Sequence, residues 1–160
     1  DLGAVAKGYA VEQVCRSAPA GLLVSVGGNV RATGPKPEGD APWVVGVQKP
    51  DGEKQDYLHT LYVSDSSVVS SGDYQRYYTV DGVRYHHIID PETLRPGTLW
   101  RAVTVVCPAS GLADGLSTAL FLLPREEGED LAQRCGAQAM WVAEDGTMSY
   151  TGGFLEAVRT

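Results

Sequence analysis

Apolar and polar positions alternate in short bursts along most of the chain, and only three stretches carry the longer helical period. The first is KGYAVEQVCRSA, with Ala10, Val11, Val14 and Cys15 at helical spacing and a Pro-Ala-Gly stretch at 19–21 to end it. GLADGLSTALFLL reads as a mostly apolar helix, and REEGEDLAQRCG as an amphipathic one. The remaining apolar runs are short and rich in Val. LLVSVGG is stopped by Gly27 and Gly28, WVVGVQKP is closed by a Pro-Asp-Gly turn, and HTLYVSDSSVVSSG divides into two strands around residues 64–67. YQRYYTVDGVRYHHII is the clearest hairpin, because Asp81 and Gly82 are the preferred pair for a tight two-residue loop. RAVTVVC is a buried strand, and AQAMWVAEDGTMSYTGGF supplies a last strand, a turn at Asp145 and Gly146, and a further short strand. Three helices among about eight strands, several joined by hairpins, predict an α+β fold with a largely antiparallel sheet. No repeat, linker or low-complexity tract divides residues 1–160, so a single domain is expected.

Composition narrows the function. The chain has 160 residues and a net charge of −7, from 13 basic and 20 acidic side chains. The basic residues are scattered rather than gathered into a stripe, which argues against nucleic acid. Nothing approaches the roughly 20 consecutive apolar residues of a membrane span. Cys15, Cys107 and Cys135 are far apart and form no metal-ligand spacing, so they read as small hydrophobes. An acidic protein that takes a phosphorylated ligand needs a metal, a helix N-terminus or a few placed cations.

Four segments could supply such chemistry. In ADGLSTA, Asp114 and Thr118 are four residues apart, so a helix sets a carboxylate and a hydroxyl on one face. Both are hard oxygen donors of the kind Mg²⁺ accepts, although helix capping and back-bonding use the same residue types. In HHIIDPETLRPG, strand alternation turns His86 and His87 to opposite faces. His87 could position or deprotonate a hydroxyl, or be satisfied by backbone, and Asp90 could simply bond its own turn. VVSSGDY places Ser71, Gly72 and Asp73 at a strand end, where exposed amides suit a phosphate or an ordinary turn. DLGAVAKGYA leads into a helix with Asp1, Lys7 and two glycines. The lysine suits an anionic ligand or plain solvent.

Taken in order, DLGAVAKGYAVE, VSVGGNV, WVVGV, SSGDYQRYY, YHHIIDPETLRPG and VTVVCPASGLADGLSTALFLL resemble the ApbE family, the FAD:protein FMN transferases. The resemblance runs through nearly the whole chain. It implies an ApbE-like fold of which this chain is a C-terminal portion, and Mg²⁺-dependent transfer of FMN from FAD to a Thr or Ser hydroxyl of an acceptor flavoprotein, with AMP released. It further implies metal ligation by the Ala4 carbonyl, Asp114 and Thr118, and FAD contacts at Asp1, Lys7 and Ile88. His87 would help activate the acceptor hydroxyl, and Ser71, Gly72 and Asp73 would line the site. Family habit also implies a lipid-anchored parent acting outside the cytoplasm, in the periplasm or on the outer face of a bacterial membrane. FAD hydrolysis to FMN and AMP, and a non-catalytic flavin-binding role, are the alternatives. Two departures stand out: Leu94 occupies a position where the family pattern has glycine, and Glu12 one where it has aspartate.

Overall fold

A computed structural model describes residues 2–53 and 55–158. The chain opens directly on helix α1 (Gly3–Arg16), four residues earlier than the periodicity of its apolar positions suggests. Ala4, Lys7, Gly8 and Val11 fall on one side of it, and Gly8 and Val11 are buried. The glycine-punctuated opening is therefore part of the helix rather than a loop before it.

Strands β1 (Leu23–Val26) and β2 (Asn29–Ala32) form a hairpin. Gly27 and Gly28 do not merely stop a strand, as expected; they are the two-residue turn, with φ of 53° and 89°. Left-handed backbone at both positions is what such a turn demands and what glycine supplies at no steric cost. Strands β3 (Trp43–Gln48) and β4 (Tyr57–Val63) pair with each other in a separate sheet. Strand β5 (Ser67–Gly72) does not pair with β4 across the short turn between them. It leaves for the main sheet, between β2 and β8 (Ala102–Cys107). Strands β6 (Tyr77–Val80) and β7 (Val83–His86) make the expected hairpin, with left-handed Asp81 and Gly82. After β8 come α2 (Ser110–Leu122), α3 (Arg125–Arg134), β9 (Gln138–Val142) and β10 (Met148–Tyr150).

The main sheet is six-stranded and antiparallel throughout, in the order β1-β2-β5-β8-β9-β10. Strand alternation gives it two apolar faces. Val69, Val103, Val105, Cys107, Ala139 and Trp141 face α2 and α3. Val68, Ala102, Met140 and Val142 face the β3–β4 sheet and Phe154 of a short 3-10 turn. The near-continuous Val run of β8 follows from this burial on both sides.

Two positions carry conformational demands. Gly8 lies against α2, where a Cβ would stand 2.4 Å from the Ser110 carbonyl and 2.5 Å from the Asp114 Cβ. In the turn after β7, Leu94 adopts φ 57°, and its N–H donates to the Asp90 carbonyl at 2.8 Å. The turn that glycine would make is kept, with a 78% exposed leucine in the left-handed conformation.

Gly8→Ala should lower stability by about 1–3 kcal/mol, read as a lower urea midpoint. Alanine is the better helix former by about 1 kcal/mol, but the carbonyl it would strike is backbone and has nowhere to go. Leu94→Gly should raise stability by about 0.5–1 kcal/mol, because relief of about 1–2 kcal/mol of left-handed strain exceeds glycine's entropic cost.

Candidate functional site

Helices α1 and α2 cross at Gly8, and the close approach brings two motifs far apart in sequence into one place. Asp114, 3% exposed on α2, accepts from the Gly8 N–H at 2.7 Å through Oδ2 and pairs with Lys7 Nζ at 3.3 Å through Oδ1. A carboxylate this deep needs such partners, since an unpaired buried charge is strongly disfavoured. The crossing is fastened at the other end by Glu12, whose carboxylate accepts from the Ser110 N–H at 2.6 Å and so caps the start of α2 from outside the helix.

A cavity of about 400 Å³ opens beside this pair. Ala4 and Lys7 of α1, Ser71 of β5, His87 and Ile88 after β7, and Asp114 and Thr118 of α2 all line it. Of the nine residues singled out in the sequence as metal, flavin or catalytic candidates, these seven are brought together. Gly72 is not among the lining residues: it ends β5 packed under the Tyr74 ring and the Arg101 carbonyl. Asp1 lies outside the described residues. Asp73 also points elsewhere. It accepts from Arg101 Nε at 2.8 Å and Arg84 Nη1 at 3.2 Å in a neighbouring cleft. Both guanidiniums also bind Asp51, and against a burial that raises its pKa they hold that carboxyl below the ordinary range. Asp90 bonds its own turn, accepting from the Glu92 N–H and the Thr93 hydroxyl, and stays clear of the cavity.

The two histidines separate as alternation requires. His86 is buried, sets its ring edge-on to Phe121, and donates from Nε2 to the Gly97 carbonyl at 2.8 Å while Nδ1 accepts from the Ile88 N–H. His87 faces the cavity and donates from Nδ1 to the Arg76 carbonyl at 3.3 Å. That bond leaves Nε2 with its lone pair free. Desolvation at the cavity wall lowers the His87 pKa; the Arg76 carbonyl opposes this, while the charges of Arg76, His86 and Lys7 add to it. The ring is thereby kept unprotonated near neutral pH.

Six further residues line it: Gly3 and Ser70, which belong to the DLGAVAKGYA and VVSSGDY segments singled out in the sequence, and Gly27, Gln75, Arg76 and Ile89. Gly27 arrives through the β1–β2 turn, and the glycine pair was its visible signal. Gln75 and Arg76 sit between the SSGDY segment and β6, where nothing in their spacing marks them.

Among the described residues no group of three or more His, Cys, Asp or Glu side chains is arranged to hold a metal. The oxygens available are of another sort. Asp114 and Thr118 line the cavity one helical turn apart, and the Thr118 hydroxyl makes only a long 3.5 Å bond to the Asp114 carbonyl. The Gly8 N–H, partner of the Ala4 carbonyl in a regular helix, also donates to Asp114. One carboxylate, one hydroxyl and one carbonyl make a hard-oxygen set that fits Mg²⁺ completed by water and phosphate.

Comparison with known proteins identifies the family. The ApbE family model matches residues 1–141. The FAD:protein FMN transferase of Treponema pallidum is 38% identical over 99% of this chain and 48% of its own length. That of Escherichia coli is 33% identical over 91% of this chain and 43% of its own. Among solved structures, the ApbE protein of Thermotoga maritima superposes with a TM-score of 0.91 at 38% identity, covering all of this chain and 53% of that one. The flavinyl transferase ApbE of Pseudomonas stutzeri gives 0.75 at 34% identity over 98% of this chain and 50% of that one. The chain thus spans about half the length of the relatives it matches. With a family model over most of its length, relatives at 33–38% identity and a matching fold, the chain belongs to the ApbE family.

Proposed function

We propose that the cavity binds FAD and serves transfer of its FMN part to a Thr or Ser hydroxyl of an acceptor protein, with release of AMP. The observation that carries this is the convergence of Ala4, Lys7, Asp114 and Thr118 from two crossing helices on the same cavity as His87. The names of the relatives support flavin transfer to protein.

Each residue's part follows from its chemistry. His87 Nε2, left free by the Nδ1–H bond to Arg76, takes the proton of the acceptor hydroxyl. The hydroxyl oxygen then forms a bond to the flavin-side phosphorus, the pyrophosphate P–O bond to AMP breaks, and AMP leaves with its oxygen. Lys7 presents a cation to the phosphates and is held in place by Asp114. The open turn of Gly27 lets backbone approach the ligand. Asp114, Thr118 and the Ala4 carbonyl would hold Mg²⁺, which when bound neutralises charge on the phosphate oxygens. Family resemblance adds that the acceptor is met outside the cytoplasm by a lipid-anchored parent.

The direct test follows AMP release from FAD with and without Mg²⁺ and with and without a Thr-containing acceptor protein. Covalent flavin on the acceptor is the expected result, and AMP release indifferent to acceptor would mark an FAD pyrophosphatase instead. Asp114→Asn is nearly isosteric and removes the charge, and should lower Mg²⁺-dependent turnover on the order of 10²-fold or more, read beside the urea midpoint because the same charge pairs with Lys7 of α1. Turnover within a factor of about two would remove Asp114 from the metal set. With His87 as base, kcat/KM should climb as pH rises through its lowered pKa, below about 6.5, and then level off. The climb should vanish in His87→Ala.

A further inference from the structure

Two side chains of full positive charge line the cavity, and they differ in one respect. Lys7 is paired with Asp114, whereas Arg76 has no ion-pair partner among the described residues. Its neighbours along the wall are Gln75, His87, Ile88 and Ile89, none of them acidic. Arg16, Lys36 and Arg95 also have no ion pair among the described residues, but none of them lines this cavity, whereas Arg84 holds two carboxylates and Arg101 three. The residue is exposed to solvent, and an unpaired guanidinium on the wall of a cavity open to ligand is placed to receive an anion. Its planar fork of donors matches phosphate oxygens better than a lysine can.

The backbone of the same residue does a second job. The Arg76 carbonyl accepts the His87 Nδ1–H, so the guanidinium and the free Nε2 are carried on linked pieces of the cavity wall. After desolvation, the charge of Arg76 is one of those that push the His87 pKa down. Lys7 from α1, already shared with Asp114 of α2, is the other full charge acting on His87, and the His86 ring from β7 has both nitrogens engaged.

We propose that Arg76 is a phosphate-binding residue of this site, taking oxygens of the ligand's pyrophosphate beside His87. The assignment rests on the FMN-transfer reading for the identity of the ligand, though not for the presence of an anion. It makes base strength depend on occupancy: an anion on Arg76 offsets one of the charges that, after desolvation, hold His87 down, so Nε2 becomes more basic once the phosphates are in place.

The test compares binding of ADP and of riboflavin, which shares the flavin ring but has no phosphate, to the protein and to its Arg76→Gln and Arg76→Lys variants. Arg76→Gln should weaken ADP by about tenfold or more and leave riboflavin unchanged, with Arg76→Lys in between. A second readout is the His87 imidazole pKa by proton NMR. It should rise when ADP binds the parent and stay still when ADP is added to Arg76→Gln. ADP affinity within about twofold of the parent in Arg76→Gln, or an equal loss for riboflavin, overturns the assignment. If Arg76→Gln instead retains ADP and raises only the KM for acceptor, the guanidinium binds acceptor carboxylates and the proposal is wrong. If the parent binds ADP through Arg76 but moves no FMN to any acceptor, the transfer reading falls and the phosphate site stands.

Discussion

The site depends on one buried carboxylate. Asp114 is almost wholly removed from water, and it is answered by a backbone N–H from Gly8 and an ammonium from Lys7. Both partners belong to α1. The electrostatic requirement of one side chain therefore sets the distance and rotation of a whole helix, and the absence of a Cβ at Gly8 permits it. Glu12 adds a second tie, since the N-terminal N–H groups of α2 have no partners within their own helix. Its extra methylene over aspartate lies within reach of Ser110, and the replacement costs the crossing nothing visible. With α1 fixed on α2, Ala4 and Lys7 are fixed on Asp114 and Thr118.

The sheet supplies the other half of the cavity. Ser71 is held by the Ser117 hydroxyl of α2 at 2.8 Å and Ser70 by Thr104 of β8 at 2.9 Å, so the end of β5 is tied to the helix by one hydroxyl pair and to its neighbouring strand by another. His87 and Ile88 reach the same space because β7 ends there. The buried partner His86, bonded to Gly97 on the opposite face, stops the segment from rotating. Adjacent histidines hold their ring protons on different nitrogens, one to anchor and one to leave Nε2 open.

Much of this was legible in the residues. The i, i+4 spacing of Asp114 and Thr118 foretold a shared face, and strand alternation foretold the division of labour between His86 and His87. The Asp81 and Gly82 turn was plain for the same local reason. What escaped was set by distance in sequence. Nothing near VVSSG says that β5 abandons β4 for β2 and β8, because that choice is made by the two apolar faces of the assembled sheet. The start of α1 was placed late because Gly3 and Ala4 add little to an apolar count. Gly72 and Asp73 were grouped with Ser71, yet Asp73 is claimed by two arginines and the chain turns away after Ser71. Arg76 showed no signal at all, since an isolated cation in a loop acquires meaning only from what surrounds it.

Four charged side chains bind the β6–β7 hairpin to the rest of the protein: Asp73 and Arg101 at the sheet, Arg84 on β7, and Asp51 from the turn after β3. The hairpin itself is largely exposed and contributes little to either apolar layer. Mobile ions reach the outer edge of this network at Asp51, 43% exposed, far more readily than its inner pair, Asp73 and Arg101, at 12% and 17%. The hairpin's tie is thus layered: rising ionic strength loosens the outer contact and leaves the inner one in place.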